Sequence, residues 1–343
     1  MKRPALPLML LILASIFLLF LLNLLLGSVH IPFGKIWELL WGTGAASNPD
    51  TMSNQEVIWS NILWKSRVPQ ALTALVAGAG LSVSGLQMQT VFRNPLAGPS
   101  VLGISSGASL GVACVVLLSG AMGGVALSRL GYMGEVALSV AAIIGALSVM
   151  ALIVYVSQKV KGNVTLLIIG VMIGYVASAV IGVLKYFSVE EDIRAYVIWG
   201  LGSFARVSGD QMLLFVCIMA VLLPLSFLLI KTMNLLLLGD GYARNLGLNI
   251  KRARLLVISC SGVLVAIVTA YCGPIMFIGL AVPHLCRAIF HTSDQRSYRI
   301  DGQRSLESRH AGYQVTHQRQ GCAYQQGSGH QYAMVGRVKN GAA

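Results

Sequence analysis

The feature that most limits what this chain can become is a series of long apolar stretches separated by short polar connectors. Eight of them approach the length of a membrane crossing: Ala5–Gly27, Val68–Phe92, Ser100–Ser119, Glu135–Val156, Val164–Phe187, Gln211–Ile230, Leu255–Tyr271 and Ile275–Phe290. About 20 mostly apolar residues cover about 30 Å of hydrocarbon as a helix. Lipid offers no partner for a backbone amide or carbonyl, so segments of this kind must satisfy their hydrogen bonds internally. The expected fold class is therefore all-α, a polytopic transmembrane helical bundle. Composition agrees, since only 11% of residues are charged and 56% are apolar, against about 25% charged in soluble domains.

The ends and joints of these stretches carry further information. Lys2 and Arg3 precede the first one, which is longer than a secretory h-region and lacks an Ala-x-Ala site, so a retained anchor is expected. Only Cys272, Gly273 and Pro274 separate the last two, which predicts a tight hairpin or a partly re-entrant segment. Small residues recur every fourth position at Gly103, Gly107 and Gly111, and at Gly170, Gly174, Ser178 and Gly182. Such ridges let helix backbones approach closely in lipid; static packing explains them, and sliding surfaces would look the same.

The formal charge of +13 does not point to nucleic acid, because the basic residues collect in a few connectors. With the N-terminus inside, ten basic residues fall on the inner side (Lys2, Arg3, Arg93, Lys159, Lys161, Lys231, Arg244, Lys251, Arg252, Arg254) and seven on the outer (Lys35, Lys65, Arg67, Arg129, Lys185, Arg194, Arg206). That bias favours a cytoplasmic N-terminus. The six cysteines show no metal-ligand or disulfide spacing, and no metal site or cofactor is expected. Asp, Glu and His are missing from the middle of every stretch, with His284 the nearest exception. An ion-coupled carrier needs such groups, so an external energy source is favoured over a secondary transporter or channel.

One connector stands out. Residues 239–254 read GDGYARNLGLNIKRAR, with a turn of helix expected over Ala243–Leu246 and two apolar residues, Leu246 and Leu248, exposed among charges. It is either a plain basic connector or a short docking helix with apolar anchors and a basic rim.

At these residues the chain resembles a known family. The run from Arg67 to Gly111, RVPQALTALVAGAGLSVSGLQMQTVFRNPLAGPSVLGISSGASLG, is similar to the signature of ABC-type importer permeases for iron-siderophore, haem and cobalamin (FecCD type). Trp199–Phe204 (WGLGSF), the connector just described and Gly273–Arg287 (GPIMFIGLAVPHLCR) match in the same order. The resemblance implies a transport subunit that is not itself an enzyme and has no catalytic residues. It implies a permease dimer, homomeric or heteromeric, with the path at its interface. It also implies cytoplasmic ATPase subunits, a periplasmic substrate-binding protein and a place in the bacterial inner membrane. The absence of a GxxxxGK[ST] loop fits ATP hydrolysis in a partner.

Carried onto this chain, the resemblance marks Gly239, Asp240, Gly241, Ala243, Arg244, Leu246, Gly247 and Leu248 as the ATPase-coupling loop. It marks Asn94, Pro95, Gly98, Pro99, Gly103, Ser105, Ser106 and Gly107 as lining the path. Arg67 takes the first basic position of an outward Arg-Leu-Pro-Arg pattern that docks the binding protein, while Gln70 stands at the second. Iron complexes, siderophore or haem, are the expected cargo.

From about Gln295 the resemblance ends. Residues 1–294 read as the permease domain and 295–343 as a cytoplasmic, disordered tail rich in Gln, Arg, Ser and Gly. The family has ten spans, of which about eight are present. The abrupt change of composition reads as a frameshift, in which case the chain is a truncated permease that assembles and transports poorly. Sequencing of the gene is expected to find two apolar spans encoded in another frame beyond this point; their absence removes that explanation.

Overall fold

In the computed structural model, residues 5–27, 29–41, 53–121, 132–160, 163–207 and 209–290 are described. The expectations for residues 295–343, and the charges at Lys2, Arg3, Arg129 and Lys161, lie outside them. Helices make up the described residues, with no strand among them. In order they are α1 (Ala5–Leu25), α2 (Phe33–Trp41), α3 (Asn54–Ile62), α4 (Val68–Phe92), α5 (Ile104–Ala121), α6 (Tyr132–Lys159), α7 (Asn163–Tyr186), α8 (Glu190–Gly200), α9 (Gly209–Phe227), α10 (Ile230–Leu237), α11 (Asp240–Asn245), α12 (Ile250–Cys272) and α13 (Ile278–Phe290).

Each apolar stretch becomes a helix, and four segments are by themselves long and apolar enough to cross a membrane: Asn54–Phe92, Met133–Lys159, Val164–Tyr186 and Ile250–Cys272. The stretch expected at Gln211–Ile230 is instead a bent pair, with Gln211–Phe227 and Ile230–Leu237 meeting at 45°. Pro224 removes a backbone donor near the end of α9. At the break, Leu228 N–H reaches Leu225 O and Leu229 N–H reaches Ser226 O, so the winding tightens there. Helix α13 has 13 residues, about 20 Å at 1.5 Å per residue, and it follows a non-helical turn as the Gly-Pro pair requires.

Several boundaries differ from expectation for local reasons. The fifth helix starts at Ile104, not Ser100, because Pro99–Leu102 forms a 3-10 turn closed by Gly103 at φ 74°. Gly103 therefore does not share a helical face with Gly107 and Gly111. Helices α2 and α3 occupy what reads as an outer connector; Ser53 and Glu56 form a capping box at the start of α3. Lys35 of α2 bonds Glu38 and, at 2.9 Å, Glu56 of α3. Those hydrogen bonds, Glu38 first, push Lys35 up to about 12.

The bundle is held by backbone contact at small residues. A Cβ on Gly107 would meet Gly145 O at 2.6 Å, and one on Gly111 would meet Gly145 Cα at 3.1 Å, so α5 and α6 touch main chain to main chain. A Cβ on Gly170 would meet Leu102 Cα at 2.8 Å, which seats α7 on the 3-10 turn. Between α4 and α12 the Ser84 and Ser261 hydroxyls bond at 2.6 Å in the buried core. Gly85 lies directly under the carbonyl of Gly279, with no room for a methyl group. The substitution Gly85→Ala is expected to destabilise the purified protein by about 1–3 kcal/mol, read as a lower thermal midpoint in detergent. Gly78→Ala on the same helix, where a Cβ meets nothing within 4 Å, is the neutral control.

Candidate functional site

Four sequence motifs far apart in the chain come together in two places. At one, Arg93 ends α4 in the left-handed region at φ 49°. Its guanidinium donates to Leu236 O at 3.1 Å and pairs with Asp240. Arg254 of α12 holds the other oxygen of Asp240 at 2.6 Å. The connector predicted to couple to an ATPase is thus fixed to the end of α4 and the start of α12. Its helix runs Asp240–Asn245 and includes Gly241, one turn earlier than expected. Ala243 is buried beneath it, Leu248 N–H returns to Ala243 O at 3.0 Å, and Gly247 turns the chain at φ 84°. Leu246 is 55% exposed, as expected. Leu248 is not: it is half-buried and packs on the main core, because the Gly247 turn carries it back toward the bundle.

The segment predicted to line a path begins at the same corner. Asn94 accepts from Leu96 N–H at 2.9 Å, a local turn that sets Pro95 outward and Gly98 inward. A Cβ on Gly98 would meet Leu280 Cδ1 at 3.7 Å, and one on Gly279 would meet Pro99 Cγ at 3.0 Å. Gln89 donates to Leu280 O at 3.2 Å. Two of the matched motifs therefore pack on each other through glycine and proline. Gly107 is spent on α6, as described above, whereas Ser105 and Ser106 face a cavity.

At the second place, Ser203 N–H donates to Cys272 O at 2.7 Å. A Cβ on Gly202 would meet Pro274 O at 2.9 Å, and one on Gly273, at φ 78°, would meet Trp199 O at 2.7 Å. The Trp-Gly-Leu-Gly-Ser run and the Cys-Gly-Pro turn thus lock together, with Trp199 only 1% exposed. Hydropathy alone does not predict the helix that carries Trp199, α8. Its signal is the acidic first turn, Glu190, Glu191 and Asp192, which suits a helix N-terminus. Burial, and then Glu191, pushes the Asp192 carboxyl up.

Beside this lock, sharing Pro274 with it, lies a cavity of about 370 Å³ lined by residues of α5, α7 and α8 and by Pro274 and Met276. It unites Ser105 and Ser106 with residues that sequence did not single out as site residues, including Ser109, Ser178 and Tyr196. Among the described residues no group of three or more His, Cys, Asp or Glu side chains could hold a metal ion.

Arg67 lies in the short π-helical turn Leu63–Arg67 before α4 and is only 5% exposed. It donates to Leu24 O at 2.7 Å, to Leu25 O at 3.1 Å and to Val29 O. A positive charge there complements the C-terminal end of α1. Gly27 leaves the space, since a Cβ would meet Arg67 Cζ at 2.9 Å. Arg67→Ala is expected to leave these carbonyls without a donor and to cost about 2–4 kcal/mol, measured as a fall in thermal midpoint; Arg67→Lys is expected to recover part of it.

A sequence model of the FecCD transport family matches residues 13–299. The hemin transport system permease protein HmuU of Yersinia pestis is 37% identical over 274 residues, covering 79% of this chain and 77% of that protein. The vitamin B12 import system permease protein BtuC of Klebsiella pneumoniae is 36% identical over 225 residues. That match covers 66% of this chain and 65% of the relative's length, just under two thirds. A solved structure described as an inward-facing, metal-chelate type ABC transporter aligns with a TM-score of 0.62 and 30% identity, covering 83% of each chain.

Proposed function

Because the chain belongs to the FecCD transport family, it is a polytopic transport permease, and we propose that it forms the membrane path of an ABC importer for iron complexes. In this reading residues 1–294 are the permease domain. Two permeases enclose the path, cytoplasmic ATPase subunits hydrolyse ATP, a periplasmic binding protein delivers cargo, and the complex sits in the bacterial inner membrane with the N-terminus inside. A relative named for hemin transport and a structural neighbour described as metal-chelate type support iron complexes. A relative named for vitamin B12 import keeps cobalamin as the second cargo.

The observation that carries the coupling role is the pairing of an exposed apolar tip with a fixed base. Leu246 stands out from the connector at 55% exposure, while Asp240 at its base is held by Arg93 and Arg254. A side chain presented this way on a braced helix can enter a partner's groove without first paying an ordering cost. The same contacts join Arg93 and Arg254, both counted on the inner side by the Lys/Arg bias, through Asp240. The donors of Arg67 already serve α1; Lys65, exposed in the same turn, offers a cation there for carboxylates of the binding protein.

Leu246→Asp is expected to lower recovery of a co-expressed cytoplasmic ATPase subunit of the importer about tenfold or more, as loss of a central apolar anchor does. Unchanged co-purification overturns the coupling role of the loop.

A further inference from the structure

The cavity between α5, α7 and α8 has a chemistry that the permease reading does not by itself assign. Four hydroxyls line it, from Ser105, Ser106, Ser109 and Ser178, together with Tyr196 and the ammonium of Lys185. No carboxylate lines it, and among the described residues none pairs with Lys185. The ammonium instead rests over the Tyr196 ring, 4.8 Å from its centroid. Tyr196 is buried and Lys185 half-buried, so the ammonium lies between the ring and the cavity rather than fully in solvent.

A cation over an aromatic face holds its charge by a weak attraction and keeps its N–H donors available for a charge-assisted bond. Hydroxyls at Ser105 and Ser109, one helical turn apart on α5, and Ser178 across the cavity can donate to the same group. Donors converging on a half-sheltered cation suit an anionic oxygen group, because the attraction grows as water is excluded. A volume of about 370 Å³ is near the lower end for ligand pockets, about 300–1,000 Å³, and fits one arm of a large cargo better than the whole of it.

We propose that this cavity receives a carboxylate arm of the transported complex, with Lys185 as its charge partner and the four serine hydroxyls as further donors. The assignment rests on the permease reading for the identity of the ligand as cargo. It makes the cargo an anionic, carboxylate-bearing chelate.

A lipid phosphate offers similar chemistry, so the test separates the two sources. The full chain in phosphatidylcholine nanodiscs is treated with an amine-reactive ester, and labelling of Lys185 is followed by mass spectrometry, with exposed Lys231 as the internal control. Citrate, as a carboxylate probe, at about nine times its half-protection concentration is expected to slow Lys185 labelling about tenfold, the factor for about nine-tenths occupancy. Trimethyl citrate, with its carboxylates esterified, is expected to leave it unchanged. The double variant Ser105→Ala/Ser109→Ala is expected to raise the citrate needed for half-protection about tenfold. Labelling indifferent to citrate overturns the proposal, and so does protection that appears only when phosphatidylglycerol replaces phosphatidylcholine. Because the labelling is read on the unmodified chain without an ATPase, failure here with intact co-purification removes the cavity assignment and leaves the permease role standing.

Discussion

The structure depends on main-chain surfaces meeting directly. Lipid is as apolar as any side chain the helices could present, so burying leucine between them gains little; contact area and dispersion must hold the bundle. Glycine supplies the approach. Helices α5 and α6 touch through Gly107, Gly111 and Gly145, α7 seats Gly170 on the turn before α5, and Gly85 of α4 lies under Gly279 in the first turn of α13. Once backbones are this close, the positions of the connectors are fixed as well, because their ends have no freedom left. Polar groups within the bundle follow the same rule: Ser84 and Ser261 satisfy each other between α4 and α12, and Gln89 is met by a carbonyl of the helix it faces.

How much of this is legible in sequence varies with the kind of signal. The bounds of α4 follow from residues that leave the backbone little choice: Pro69 suits the first turn, and Arg93 turns left-handed just before Asn94-Pro95. Hydropathy alone could not find the start of α5, because Val101 and Leu102 are as apolar in a 3-10 turn as in a helix; only the conformation at Gly103 separates the two. Helices α2, α3 and α8 are too short or too polar to register in a search for spans, although the capping box at Ser53 and the acids at Glu190–Asp192 mark two of them.

The candidate site divides along the same line. Its motifs are readable because each is a contiguous run. Their mutual contacts are not, since Ser203 meeting Cys272, or Arg93 meeting Asp240, depends on the tertiary fold. Leu248 shows the limit clearly: beside Leu246 it reads as a second exposed anchor, yet the turn at Gly247 folds it back onto the core. The cavity is the least legible part. Lys185 reads only as one of the outer basic residues, and only the placement of α8 puts an aromatic ring beneath its ammonium.

The two arginines on Asp240 give the inner connector a property that its sequence conceals. A loop tethered only by its ends can be displaced without disturbing anything else. This one is riveted at its first helical residue to the end of α4 and the start of α12, and Asn94 follows Arg93 directly along the chain. Any displacement of the connector at Asp240 therefore also loads its joint with Arg93, and with it the Asn94–Gly103 segment that follows directly along the chain.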